Sequence, residues 1–237
     1  MAPEFTFCPN CGQKRIKKHE TLRDLFQNFL GDYFAYDSKL SKSVRPLLFK
    51  PGYLSLEYLR GKRMHYIPPL RLYIFVSILF FILLNWQTSQ KAVETISSDE
   101  LILDNFFHNY LPKVFFLLLP LFAGFLALLF RKKKMGFVFQ LIVAFHFHTF
   151  VFFSLSFYLL LSNAIALSGQ LFLNAILLSL IGTGILYYLL ISLKRIYRLS
   201  WKATVGRYLL LILLYGTAML TVLISIFAYL TLNNTTT

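Results

Sequence analysis

Three sets of side chains in this 237-residue sequence have types and spacings that could do chemistry. The first is the pair Cys8 and Cys11, in Phe7-Cys8-Pro9-Asn10-Cys11-Gly12-Gln13. Two thiolates three positions apart, followed by a Gly that permits a tight knuckle, present both sulfurs to one metal ion. This is half of a tetrahedral zinc site. The chain has only 2 Cys, so zinc here needs a second copy's knuckle or further ligands such as His19. A vestigial knuckle without metal and a redox pair are the alternatives. The reducing side of a membrane disfavours a disulfide, and a redox CxxC usually opens a helix beside a strand, whereas no strand pattern precedes this one.

The second set is Arg60, Lys62, Arg63 and Arg71, in and just beyond Arg60-Gly61-Lys62-Arg63. At headgroup level such residues anchor topology and attract anionic lipid, at ~1 kcal/mol per basic residue near the surface. Arg60 and Arg63 can also chelate phosphate oxygens, and Gly61 allows a close approach. The aromatic residues around them read as interfacial anchors and not as an exposed stacking face, so no nucleic-acid partner is expected.

The third set is His146 and His148, in Phe145-His146-Phe147-His148-Thr149-Phe150. They fall ~15 to 18 Å into an apolar run at a rise of ~1.5 Å per residue, near the middle of a bilayer. Residues i and i+2 lie ~200° apart around a helix, so the two rings cannot ligate one metal without unwinding it. Bonded to Ser, Thr, Tyr or backbone groups of neighbouring helices, they would hold a bundle together. A titrating or ligand-binding imidazole would instead serve a path across the membrane. All ten Asp and Glu lie at or before Asp104, so the last four apolar runs carry no acidic relay.

Charge and hydropathy set the elements that must position these groups. All but two of the 24 Lys and Arg fall in three blocks: thirteen from Lys14 to Arg71, four from Arg131 to Lys134 and five from Lys194 to Arg207. Lys91 and Lys113 share the segment after the first run with Glu94, Asp99, Glu100 and Asp104, so that segment reads as the far side. The blocks alternate with five runs long enough, or nearly so, for the ~20 residues that span ~30 Å of hydrocarbon. These are placed at 70–86, 111–130, 136–161, 168–193 and 208–232. Pro68-Pro69 suits the start of the first and Trp86 its far interface.

With 57% hydrophobic residues, 18% aromatic residues and a mean hydropathy of +0.61, the chain exceeds what a soluble domain carries. The predicted fold is all-α: a polytopic membrane bundle over 70–232, with a knuckle at 1–20, cytoplasmic or interfacial amphipathic helices at 21–69 and an external tail at 233–237. Thr21 and Asp24 resemble a capping box. Leu22, Leu25, Phe26, Phe29, Leu30, Tyr33 and Phe34 form a helical stripe behind it, and Tyr53 to Leu59 reads as a second short interfacial helix. A polar first twenty residues argues against a cleavable signal peptide. Ala175, Ser179 and Thr183 beside Gly182 and Gly184, and later Gly216, Ala218, Thr221, Ser225 and Ala228, read as small-residue packing faces.

The knuckle CPNCGQ, the run from Pro51-Gly52 through Glu57-Tyr58 to Gly61-Lys62-Arg63 and Tyr66, the FHFHxF of the third run and Tyr197 to Trp201 stand here in one order. From Cys8 to about Tyr215 the chain resembles a family of bacterial polytopic membrane proteins known only as a domain of unknown function of the 3667 type. Members often carry a further CxxC upstream, and an acidic residue plus His where this chain has Phe139-Gln140. The first departure puts an intrachain zinc site in doubt, and the second weakens a polar relay. The resemblance implies a membrane location and the same layout, and supplies no activity.

The expectation is an integral protein of a bacterial inner (cytoplasmic) membrane, with its N-terminus cytoplasmic and its C-terminus outside. It would be a non-enzymatic, homo-oligomeric scaffold or sensor with anionic lipid as partner and zinc as the one cofactor to consider. The alternative is a transporter or channel lined by His146 or His148. A lipid-acting enzyme ranks below both, because no nucleophile and base pair, HxxxxD-like pattern or metal-binding carboxylate set is found.

Overall fold

A computed structural model describes residues 36–91, 110–133, 135–166 and 171–235. These residues form helices and short turns, with no strand among them. Two short helices come first, α1 (Tyr36–Phe49) and α2 (Tyr53–Leu59). Five long ones follow: α3 (Pro69–Lys91), α4 (Leu111–Leu129), α5 (Phe137–Ala166), α6 (Leu171–Tyr197) and α7 (Trp201–Thr235). All five long helices are apolar enough to cross a membrane. At ~1.5 Å per residue they run from ~28 Å for α4 to ~52 Å for α7, against ~30 Å of hydrocarbon.

Ring and hydrogen-bond pairs fix the directions of the helices. Tyr73 lies beside Phe145, Phe80 beside Phe152, and Gln87 Nε2 donates to Ser162 Oγ, so α3 runs parallel to α5. Phe115 meets Phe152 and Phe122 meets Phe147, so α4 runs antiparallel to α5. Phe150 stacks on Tyr188, and Tyr197 donates to Gln140 Oε1, which makes α6 antiparallel as well. The described basic residues of all three blocks therefore gather at one end of the bundle. Among the five long helices, α5 is the hub, packed against α3, α4 and α6. Half of its apolar window is buried, whereas α7, resting on α4 and α6, has 6% of its window buried.

The helix ends differ from the sequence expectation by several residues. The first long helix continues past Trp86 to Lys91, because no Pro or Gly interrupts the polar run that follows. Conversely, α7 starts at Trp201 and not at Tyr208. Lys202 and Arg207 break the apolar pattern there without breaking the helix, and Arg207 lies 5.4 Å above the Phe130 ring, keeping its stem on apolar surface. Before that helix, Arg198 takes a left-handed conformation at φ 48, a familiar helix stop.

Among the described residues, nothing packs on the glycines of the small-residue faces. A Cβ added at Gly182, Gly184 or Gly216 would meet nothing within 4 Å, and the Thr183, Thr221 and Ser225 hydroxyls donate to carbonyls of their own helices. Small size permits a close approach, but only a partner helix realises it.

The short helix α2 wedges against α5 and α6, burying Leu54, Ser55 and Glu57. Pro51-Gly52 makes the bend from α1 into it. Gly52 is left-handed at φ 71, and a Cβ there would sit 3.0 Å from the Ser192 carbonyl oxygen and 3.1 Å from its Cα. Gly61, at φ 84, has open space around it. Gly61→Ala is therefore expected to cost only the ~1–2 kcal/mol of a left-handed L residue. Gly52→Ala should cost distinctly more, because α6 backbone blocks the new methyl. Thermal unfolding in detergent compares the two, and equal losses would remove close packing as the reason for Gly52.

Candidate functional site

A buried polar seam runs where the wedge of α1 and α2 meets the long helices. On α6 the Tyr188 hydroxyl donates to the Leu47 carbonyl at 2.7 Å, and at the helix end Arg195 Nη1 donates to the Pro51 carbonyl at 2.7 Å. On α5 the His146 Nδ1 lies 2.9 Å from Ser55 Oγ. His146 is the tenth residue of α5, so the wedge reaches ~13 Å along it. The Tyr188 and His146 bonds satisfy groups that would otherwise be buried without partners, each worth ~1–3 kcal/mol if orphaned, whereas the Arg195 bond is exposed.

His148 faces the other way, as ~200° between i and i+2 requires. Its Nδ1 is 2.9 Å from the Ala144 carbonyl and its Nε2 2.9 Å from the Tyr215 hydroxyl on α7. A carbonyl only accepts, so Nδ1 carries the proton, and in the neutral ring Nε2 accepts from Tyr215. Phe122 of α4 meets both rings edge-on, at 5.2 Å from His148 and 5.0 Å from Tyr215. His148 thereby ties α5 to α7 and to α4 at one point.

The third element of the seam is Gln140, fully buried, whose Oε1 accepts from the Tyr197 hydroxyl. Tyr197 stacks on Phe130 with ring centroids 3.6 Å apart. Gln140 is thus a neutral link between α5 and α6.

Outside the long helices, Glu57 sits at the end of α2 with 1% exposure. Its Oε1 takes Arg60 Nη1 at 2.7 Å and its Oε2 takes Lys62 Nζ at 2.7 Å. Burial pushes its carboxyl pKa up, but hydrogen bonds and charge from Lys62 and Arg60 outweigh this and hold it below the usual carboxylate value. Lys62 reaches back because Gly61 reverses the chain and brings the Lys62 N–H to the Glu57 carbonyl at 3.1 Å.

The basic set read from the sequence is thus divided. Arg60 and Lys62 are held by Glu57, and the Arg63 guanidinium lies 5.2 Å over the Tyr58 ring. Arg71 is half-buried at the start of α3, beside the exposed apolar face of that helix. Each of the Arg60 and Arg63 guanidinium groups has its own partner on α2. Cys8 and Cys11 lie outside the described residues, as does the stripe from Leu22 to Phe34. Among the described residues, no three His, Cys, Asp or Glu side chains are placed to hold a metal ion.

Sequence reasoning missed Ser55, Gln140, Tyr188, Tyr197 and Tyr215 as partners. A hydroxyl on a helix read as interfacial, and tyrosines within apolar runs, give no pattern that separates a bonded group from an anchor at the lipid surface. The one usable signal was that two His at midspan need polar partners somewhere.

Residues 37–81 match the model of a family described as "Protein of unknown function (DUF3667)". The matched segment holds the wedge, its ion pairs and the first half of α3. No curated protein and no solved structure matches the chain.

Proposed function

We propose that this membrane protein is a non-enzymatic scaffold or sensor, in which the inserted wedge couples the basic end of the bundle to its core. The observation that carries this reading is that both midspan imidazoles are taken up in bonds between elements, His146 with Ser55 of the wedge and His148 with Tyr215 of α7. Groups used this way fix geometry. A transport path asks instead for groups free to exchange a proton or ligand.

Substitution at the two His separates the roles. His148→Gln keeps a donor and an acceptor and is expected to leave folding and assembly close to the parent. His148→Leu should lose ~0.6–2 kcal/mol with the interhelical bond. The same order is expected at His146, read by thermal unfolding and size-exclusion elution in detergent. Well-assembled Gln variants that abolish a pH-dependent flux of the parent in proteoliposomes would move the protein to the transporter class.

In this reading the basic end faces the cytoplasm of a bacterial cell and the C-terminal tail lies outside, supported by the gathering of basic blocks at one end. In a Cys8→Ser/Cys11→Ser background, Thr236→Cys is expected to react with an impermeant maleimide in intact cells. Lys132→Cys should react only after permeabilisation. The reverse pattern would invert the topology.

A further inference from the structure

Between α1 and the turn that leads into α3 lies a cleft of about 830 Å³. One wall is a single face of α1, where Ser41 and Arg45, and likewise Lys42 and Pro46, stand four residues apart. The other wall is the 3-10 turn Arg63–His65 with Tyr66. Ser43 clamps the walls together: its Oγ accepts the Ile67 N–H at 2.9 Å and donates to the Lys39 carbonyl at 2.8 Å. The backbone of the two walls is therefore held by a buried Ser43, with the cleft's cationic side chains exposed around it.

Among the residues whose side chains are described, Lys42, Arg45, Lys50 and His65 line it and no carboxylate does. Among residues whose side chains are described, Glu57 is the one carboxylate, and it is engaged by Arg60 and Lys62. Lys42, Arg45 and Lys50 around one concavity repel each other and concentrate a positive field there, which an anion relieves. Arg45 offers the planar fork that suits phosphate oxygens, and Lys42 and Lys50 add point charges.

A second groove, of about 410 Å³, runs along the exposed face of α3 past Pro68, Leu70, Ile74, Ile78 and Ile82. Tyr66 of the cleft and Pro68 of the groove are two residues apart, so the chain separates them by at most ~7 Å. A charged recess that opens beside an apolar furrow of a membrane-crossing helix matches a molecule with an anionic head and an acyl tail.

We propose that the cleft is a phosphate-binding site for the headgroup of an anionic phospholipid, with Lys42 and Arg45 as its main ligands and the acyl chain lying along α3. The site differs from the Arg60, Lys62, Arg63 and Arg71 set, and it stands whether or not the scaffold reading holds.

The full-length protein is tested in phosphatidylcholine nanodiscs containing a minor fraction of phosphatidylglycerol, with retained lipid counted by native mass spectrometry. The parent is expected to retain phosphatidylglycerol. Lys42→Ala/Arg45→Ala should weaken retention roughly tenfold or more, while Lys132→Ala/Lys133→Ala, at the same end but outside the cleft, should retain it as the parent does. Lys50→Gln/His65→Gln, from other positions around the cleft, should repeat the loss, so misfolding of one variant leaves a second reading. Unchanged melting in pure phosphatidylcholine shows that each variant is folded. Equal retention by the cleft pairs and the Lys132/Lys133 pair would overturn the site. Displacement of phosphatidylglycerol by millimolar inorganic phosphate would overturn the lipid assignment and make a free phosphate compound the ligand.

Discussion

Phe152→Ala is expected to be the most damaging single substitution in the bundle, costing about 1–3 kcal/mol once only the cavity part of a buried Phe-to-Ala loss is counted. Phe152 is 1% exposed and joins three helices at once. Its ring centroid lies 5.8 Å from Tyr73, 5.1 Å from Phe80 and 5.7 Å from Phe81, all on α3, and 4.9 Å from Phe115 on α4. The pairs are tilted or edge-on, the arrangements that aromatic quadrupoles favour. In lipid the unfolded helices stay in an apolar solvent, so the transfer part of the cost falls away and the cavity with its lost dispersion contacts remains. Phe152→Leu should cost about half as much, because it fills most of the hole. Phe157→Ala, at a position 53% exposed, should stay within ~0.5 kcal/mol of the parent. Denaturant or thermal unfolding in detergent ranks the three, and a Phe152→Ala loss no larger than that of Phe157→Ala would show that the cluster does not hold α3 and α4 on α5.

The second large effect is expected at Glu57 and takes the form of a change in pH dependence. The folded carboxyl is held below its ordinary value by Lys62 and Arg60. A depressed folded pKa adds stability that is fully present above the unfolded value of about 4.3 and is lost as pH falls through the folded one. The parent wedge should therefore keep this contribution at neutral pH and lose it only in acid. Arg60→Ala/Lys62→Ala removes both counter-charges and leaves burial to act alone, which raises the carboxyl pKa. The double variant should lose about 1.5–3 kcal/mol at neutral pH, at the modest end for a buried carboxylate because both cations are half exposed. Its destabilisation should be full at neutral pH and ease as pH falls through the raised folded value, because the folded carboxyl then takes up a proton, the reverse of the parent's acid limb. Glu57→Gln should remove this carboxylate's part of the acid limb. Melting followed from about pH 4 to 8 checks all three, and superimposable profiles for parent and double variant would refute the ion-pair account.

Charge and hydropathy made the long helices legible, because a lipid-crossing segment must be apolar for its whole length and the basic residues must stay at its ends. Those rules read the positions of α4 and α5 nearly to the residue at their first turns. They failed where a helix carries charge without breaking, as at Lys202 and Arg207 on α7, or where polar residues simply continue it, as in α3 beyond Trp86. The wedge was legible as a helix and illegible as an insertion. Ser55 and Glu57 look like a solvent face until His146, Arg60 and Lys62 are brought to them, and those partners are fixed only by packing. For the same reason His146 and His148 were recognisable as groups needing partners, but which helix each would face depended on rotations that no spacing encodes. Lys42, Arg45, Lys50 and His65 were read as part of a general basic block, since their convergence requires the α1 face and the 3-10 turn to be opposed.

The wedge also imposes an order on biosynthesis. Its residues leave the ribosome before any of the long helices, yet Tyr188 meets Leu47 from 141 positions downstream and Arg195 meets Pro51 from 144. At ~5–20 residues per second of translation, roughly 7–30 s separate the synthesis of these partners. During that interval the Leu47 and Pro51 carbonyls, and the place of Gly52 against α6, have no final counterpart. A segment made before the long helices is thus among the last to be seated, and its docking can close only on a chain whose α6 is already in the bilayer.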